Sequence, residues 1–400
     1  MKTRILGLAL LPFLCSGGAA GAAGASGAPT DPAAAVNAFA VDLYRHLGDG
    51  DANLFFSPAS IAYALAMTRT GARGTTAAEM DRTLHFTPDD PQLSAAFGRL
   101  MAQLNADREF ATLRVANRLY GQAGFGFRPE FLAGLERHFG AGLQELDFGA
   151  DPDAARGVIN AWVEERTEDR IRDLLADGSL DASTRLVLVN AVYFLGTWQK
   201  PFPVDATADG PFHKADGGDV TVPFMHVSGR FGFAATDGVS ILSLPYKGGD
   251  LDMVLVLPDE GTPLADVEAR LDAATFAAWL AAPAPGEVQV ALPRLHLETK
   301  FDLRAGLEAL GLRQAFTRAA DFTGMVPGGQ LMIDKVVHKA FLDVDEKGTE
   351  AAAATAVEMR ATSAMPVQIH RFLADRPFLL AIRHGPSGAL LFLGRMGDPS

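Results

Sequence analysis

From Leu186 to Phe194 the chain reads Leu-Val-Leu-Val-Asn-Ala-Val-Tyr-Phe, apolar on both faces of any strand it forms. Such a strand has to be covered on each side, since every Å² of apolar surface left in water forfeits roughly 25 cal/mol of stabilisation. Ile241 to Pro245, Leu251 to Leu257, Val288 to Pro293, Met332 to Leu342, Phe378 to Arg383 and Ala389 to Leu393 also read as strands, several of them equally apolar. The second half of the chain therefore predicts large antiparallel or mixed sheets layered with helices.

The first half supplies the helices. Asp31 and Pro32 give a cap and a first-turn proline to a helix that sets Val36, Phe39, Ala40, Leu43, Tyr44 and Leu47 on one face. A second starts at Ser57-Pro58 and runs through Ile61, Ala64 and Leu65 toward Thr70, where Gly71 and Gly74 stop it. A third begins with Thr76 and Glu79 at capping-box spacing, and another follows Asp151-Pro152 with Val158, Trp162 and Arg166 in helical register. Helices first and strands later is the order of an α+β domain. No linker, charge block or internal repeat divides residues 29–400, which read as a single domain.

At the N-terminus, Lys2 and Arg4 precede an apolar run from Ile5 to Leu14, and Gly17 to Ala28 are almost all Gly, Ala and Ser. That layout predicts a signal peptide with its cleavage region over residues 1–28, and a secreted or periplasmic product. The apolar run is too short to cross a hydrocarbon core of roughly 30 Å, so no membrane anchor is expected. Cys15, the only cysteine, lies beside this run, which leaves the mature chain without a disulfide and dependent on its core. The net charge of −13 opposes binding to nucleic acid, whose phosphates require clustered Lys and Arg.

Catalytic spacings are absent from the sequence. It contains no Gly-x-Ser-x-Gly elbow, no His-Glu-x-x-His pair and no Gly-Lys-Ser/Thr loop. Asp343-Val-Asp345-Glu-Lys-Gly348 begins like a calcium loop but has Lys347 at the fifth position and Ala354 at the twelfth, where ligands are needed. Neither a metal nor a cofactor is expected, and a binding role is favoured over an enzyme.

Asn190 is a polar residue inside a buried strand and must find partners or cost roughly 1–3 kcal/mol. A second anomaly is Glu346-Lys-Gly-Thr-Glu-Ala-Ala-Ala-Ala-Thr-Ala-Val-Glu-Met-Arg-Ala-Thr-Ser-Ala-Met-Pro366. By propensity it is a weak alanine helix or a low-complexity loop. By period two, Thr349, Ala351, Ala353, Thr355, Val357 and Met359 form one small uncharged face, while Glu350, Glu358 and Arg360 fall on the other. Such a segment is able to enter a sheet without being obliged to stay there.

These residues resemble the serpins, serine protease inhibitors whose reactive loop has this composition after a Glu-x-Gly-Thr-Glu hinge. The likeness extends to Asn53-Leu-Phe-Phe-Ser57-Pro58-Ala-Ser60-Ile61, to Leu188-Val-Asn190 through Trp198, to Val337-His338 through Glu346, and to Phe372-Leu-Ala-Asp375-Arg376-Pro377-Phe378 with Phe392-Leu-Gly394-Arg395. It implies an exported, bacterial-type member with three β-sheets, a large central one that accepts the loop, and eight or nine helices. It also implies a monomer acting on a serine protease, which cuts the loop, is acylated, and is dragged along as the loop inserts.

The resemblance gives each residue a role. Glu346, Gly348, Thr349, Glu350, Ala351, Ala352, Ala353 and Ala354 form the hinge of a loop over 346–366. Thr362 and Ser363 flank the reactive bond, which suits an elastase-like or subtilisin-like enzyme, with a trypsin-like target through Arg360 as the alternative. Ser57, Ser60, Asn190 and His338 match the polar cluster where the sheet opens, and Trp198 and Arg294 the place where the loop enters. A non-inhibitory carrier or chaperone on the same fold is the alternative function; such proteins usually carry bulky, charged or proline-bearing hinges, which this chain lacks.

Overall fold

The computed structural model describes residues 28–47, 50–140, 142–328, 330–349 and 368–400. Residues 1–27 of the expected signal peptide and residues 350–367, which hold the rest of the expected loop, lie outside the described residues.

Among these residues are nine α-helices: α1 (Pro32–Tyr44), α2 (Pro58–Arg69), α3 (Gly74–Thr83), α4 (Leu93–Leu104), α5 (Pro129–Phe139), α6 (Pro152–Arg166), α7 (Leu264–Glu268), α8 (Ala273–Ala281) and α9 (Arg304–Ala309). Three begin as the sequence predicts. Asp31, Ser57 and Asp151 accept hydrogen bonds from the first-turn amides of α1, α2 and α6, and each is followed by proline. The capping box expected at Thr76 does not form, because both side chains are engaged elsewhere. Thr76 accepts from the Asp321 amide and Glu79 from the amides of Arg313 and Gln314. On α6 the buried face is Ala155, Ile159, Asn160 and Val163, one position away from the expected one, and Val158 is exposed.

A six-stranded sheet runs, in spatial order, β10 (Leu295–Asp302), β11 (Lys335–Asp345), β12 (Gly348–Thr349), β4 (Leu186–Thr197), β2 (Ala111–Gln122) and β3 (Leu143–Leu146). The second sheet follows the path β1 (Leu54–Phe56), β15 (Leu390–Met396), β14 (Phe378–His384), β8 (Leu251–Pro258), β7 (Val239–Pro245), β6 (Asp219–Thr236), β9 (Ala284–Pro293) and β13 (Ile369–Leu373), with β5 (Ala208–His213) also paired to β6. The two smaller sheets implied by the resemblance are thus continuous here. The 18-residue β6 joins them by pairing with β5, β9 and β7 in turn.

The double cover predicted for Leu186 to Phe194 is present. Leu186, Leu188, Val192 and Phe194 face the main core with α2, whereas Val187, Val189 and Ala191 face a second core built with Ile159 and Val163 of α6. Two apolar layers therefore hold β4 from opposite sides, and a polar residue in it can only be paired from within the sheet or from a helix end.

Candidate functional site

The site is the seam between β4 and β11. These strands run parallel and pair directly from Lys335↔Val187 to Phe341↔Tyr193. Beyond Phe341 they part, and β12 is seated between them, with Thr349 opposite Val344 on one side and Gly196 on the other. It runs antiparallel to both. Two residues of the expected hinge therefore already occupy the place of a strand.

Local chemistry explains the seat. The Asp345 carboxylate accepts the amides of Lys347 at 2.8 Å and Gly348 at 3.2 Å, which closes the turn from β11 into β12. Gly348 sits at φ +150°, and a Cβ there would stand 2.0 Å from the Gly196 carbonyl oxygen, so no other residue fits. Thr349 is buried, its hydroxyl 3.0 Å from that of Tyr246.

Trp198 and Arg294 lock the turn. The Trp198 indole N–H donates to the Asp345 carbonyl at 3.1 Å, its amide donates to the Lys347 carbonyl at 2.9 Å, and its ring stacks on Tyr246 at 4.5 Å. Glu346 is only 4% exposed, yet its Oε1 receives Arg294 Nε at 3.0 Å, Arg294 Nη2 at 2.6 Å and the Thr207 hydroxyl at 2.7 Å. Burial pushes the Glu346 carboxyl up, but the hydrogen bonds from Arg294 and Thr207 outweigh it and hold the group ionised, below its ordinary range.

Below the seat lies a closed polar network, one residue from each of three neighbouring strands at one level: Asn117 opposite Asn190 opposite His338. The Ser57 amide donates to His338 Nε2 at 3.0 Å, so the remaining ring proton is on Nδ1, where it is donated to Asn190 Oδ1. Asn190 Nδ2 donates to the Ser60 hydroxyl at 2.5 Å and to Asn117 Oδ1 at 2.6 Å. Ser60 donates in turn to Asn117 Oδ1 at 2.8 Å, and Asn117 returns a bond to the Ser60 carbonyl at 3.2 Å. Complete burial pushes the His338 imidazole down to about 3, so it is neutral and the assignment of its two nitrogens is consistent.

The structure thus brings together Ser57, Ser60, Asn190 and His338, and separately Trp198, Arg294, Glu346, Gly348 and Thr349. Glu350, Ala351 to Ala354, Thr362 and Ser363 lie outside the described residues. Sequence reasoning missed Asn117, Thr207 and Tyr246. A polar residue at a buried level of β2 was the available signal for Asn117; Thr207 and Tyr246 lie in connections whose sequence says nothing of what they approach.

Comparison with known proteins follows the same lines. A family model described as "Serpin (serine protease inhibitor)" matches residues 34–399. The chain is 44% identical over 377 residues to a leukocyte elastase inhibitor of Bos taurus, covering 92% of this chain and 99% of that protein. It is 40% identical over 378 residues to the leukocyte elastase inhibitor of Homo sapiens, with the same coverage of each. Among solved structures, uncleaved ovalbumin superposes with a TM-score of 0.84 at 29% identity, covering 92% of this chain and all of that one.

Proposed function

The chain belongs to the serpin family, and from that premise we propose that it inhibits serine proteases as a suicide substrate. The observation that carries the proposal is β12, the first two residues of an incoming strand, seated antiparallel between parallel neighbours.

Continuing its register shows what insertion would accomplish. Thr355 arrives opposite Asn190 on one side and His338 on the other, and Met359 arrives opposite Leu186, the far end of β4. The small face of the loop then points into the main core, and the Thr355 hydroxyl falls where the His338 to Asn190 bond now spans the seam. Glu358 falls beside Lys335. Two antiparallel ladders replace one parallel ladder. At about 1 kcal/mol net per hydrogen bond, roughly ten added bonds release on the order of 10 kcal/mol. That is comparable with the stability of a whole protease, about 5–15 kcal/mol, and so sufficient to distort one.

Thr362 and Ser363 are assigned as the reactive bond. The segment from Thr349 to Thr362 extends about 45 Å at roughly 3.3 Å per residue, and it carries the acylated enzyme past the end of β4. A small residue at Thr362 suits an elastase-like or subtilisin-like pocket, a reading supported by similarity to leukocyte elastase inhibitors. Cleavage at Arg360 by a trypsin-like enzyme would shorten the inserted strand by two residues. Residues 1–28 are assigned as the export signal, and the mature chain, from 29 to 400, as one monomeric domain outside the cytoplasm.

Incubation with an elastase, a subtilisin and a trypsin, followed by denaturing electrophoresis, tests the function. A covalent adduct with the first two and a released C-terminal peptide beginning at Ser363 by mass spectrometry are expected. Complete cleavage by all three with no adduct would remove the inhibitory reading.

A further inference from the structure

The seam between β4 and β11 is also tied at its far end, away from the place where the loop enters. Asp334 directly precedes β11, and Arg185 directly precedes β4. Ile333 donates its amide to the Ala315 carbonyl and so leaves the sheet, and the Asp334 side chain stands where β11 has no more backbone to offer. Its Oδ2 accepts the Arg185 amide at 2.6 Å and the Leu186 amide at 3.0 Å, while the Asp334 amide donates to the Leu186 carbonyl at 3.0 Å. The Arg185 guanidinium is committed elsewhere, to the carbonyls of Ala182 and Thr184 at 2.9 Å each. Burial pushes the Asp334 carboxyl above its ordinary range, against the pull of the two amides, so the tie lies partly out of water.

The register of β12 puts this tie in the way of a strand. Trp198 donates its amide into the seam, to the Lys347 carbonyl, and Leu186, an even number of residues earlier on β4, points its amide the same way. In that register Leu186 stands opposite Met359 as Trp198 stands opposite Lys347. A strand that extends as far as Met359 therefore takes the Leu186 amide for its own carbonyl. It also moves β11 from one strand spacing to two, from about 4.8 Å to about 9.6 Å from β4, beyond the reach of an aspartate side chain. A strand that stops at Val357, opposite Leu188, does not need that amide.

We propose that Asp334 is the far-end latch of the seam: it holds β4 to β11 in the intact protein, and the last stage of loop insertion, past Val357, requires its bonds to Arg185 and Leu186 to break. The inference rests on the inhibitory reading above and deepens it, by naming the residue that sets how far the strand is admitted. Asp334 touches no protease. It acts through two β4 amides, as a positioning residue, and an acylated enzyme is carried its final distance only after the latch yields.

The test follows thermal unfolding of the full chain and its Asp334→Ala variant, each intact and nicked at Thr362–Ser363, in a fixed concentration of guanidinium. Intact Asp334→Ala should melt about 2–4 °C below the intact parent, having lost two bonds to a carboxylate. The two nicked proteins should melt together, since insertion has already broken those bonds. A residue that only stabilises the fold locally would lower both forms alike. Asp334→Asn, which keeps an acceptor oxygen, should recover most of the intact loss. A measurement without any substitution accompanies these: the carboxyl-carbon resonance of Asp334 in the parent should shift on nicking. An equal fall in both forms of Asp334→Ala, or a carboxyl resonance that nicking leaves in place, overturns the latch. A parent whose melting temperature does not rise on nicking overturns the inhibitory reading and, with it, this inference.

Discussion

His338 and Asn190 are joined across the β4–β11 seam by the His338 Nδ1 proton, in the middle of the only stretch where these strands pair directly among the described residues. Any strand that enters must break that bond. Because His338 is neutral when buried, with its pKa pushed down to about 3, folding excludes a proton that the unfolded chain takes up near its ordinary value of about 6.5. The stabilisation is complete above about pH 6.5 and falls as the pH drops, by up to about 1.4 kcal/mol per unit. Thermal unfolding of the uncleaved protein should therefore occur at lower temperature at pH 5 than at pH 7, and His338→Gln should flatten that dependence. An equal slope in both proteins would assign the acid sensitivity to other groups.

Thr349→Arg should turn the inhibitor into a substrate. The native side chain is 1% exposed and touches Tyr246, so a guanidinium has no room and no counterion in the seat. Cleavage is expected at the parental rate with no covalent complex on denaturing gels; a persistent complex contradicts the assignment.

Gly348→Ala should unseat β12. Its methyl would have to displace the Gly196 carbonyl, and the left-side φ adds strain, together costing on the order of 1–3 kcal/mol. The readout is the emission of Trp198, whose indole nitrogen is bonded to the Asp345 carbonyl. A spectrum unchanged from the parent would show that the turn tolerates the methyl.

Thr355→Val tests the continued register. The substitution keeps shape but removes the hydroxyl that is to meet Asn190 Oδ1 and the His338 Nδ1 proton, leaving these two groups unpaired in the inserted product at about 1–3 kcal/mol. The stoichiometry of inhibition should rise as more enzyme escapes, while Thr355→Ser stays near parental. If valine is neutral, Thr355 does not reach that level of the sheet.

Nicking at Thr362–Ser363 should raise the melting temperature. With about 2.1 cal/mol/K of unfolding entropy per residue, an insertion worth on the order of 10 kcal/mol raises it by more than about 10 °C. Calorimetry of intact and nicked protein measures the difference. No rise means that no strain is released.

Much of the architecture was legible in the residues themselves. Runs apolar on both faces required a covered sheet, and Asp31-Pro32, Ser57-Pro58 and Asp151-Pro152 set helix starts, because capping is decided within a few residues of chain. The alternation in Thr349 to Met359 predicts a segment fit for a strand, and of that segment only Thr349 lies among the described residues, seated in β12. β2 and β6 were not read, since their alternation is broken by half-exposed residues at positions that only neighbouring strands explain, whereas β10 alternates cleanly from Leu295 to Asp302 and was legible.

What tertiary structure alone decided is who meets whom. Asn117 joins Asn190 and His338 because three strands distant in sequence share a register, and Tyr246 reaches Thr349 because the end of β7 lies over the turn. Thr76 and Glu79 gave up their local box for amides more than 230 residues away. Local patterns fix which segments are strands or helices; pairing between distant segments is chosen by the burial and hydrogen bonding of the whole core, and no short stretch of sequence contains that sum.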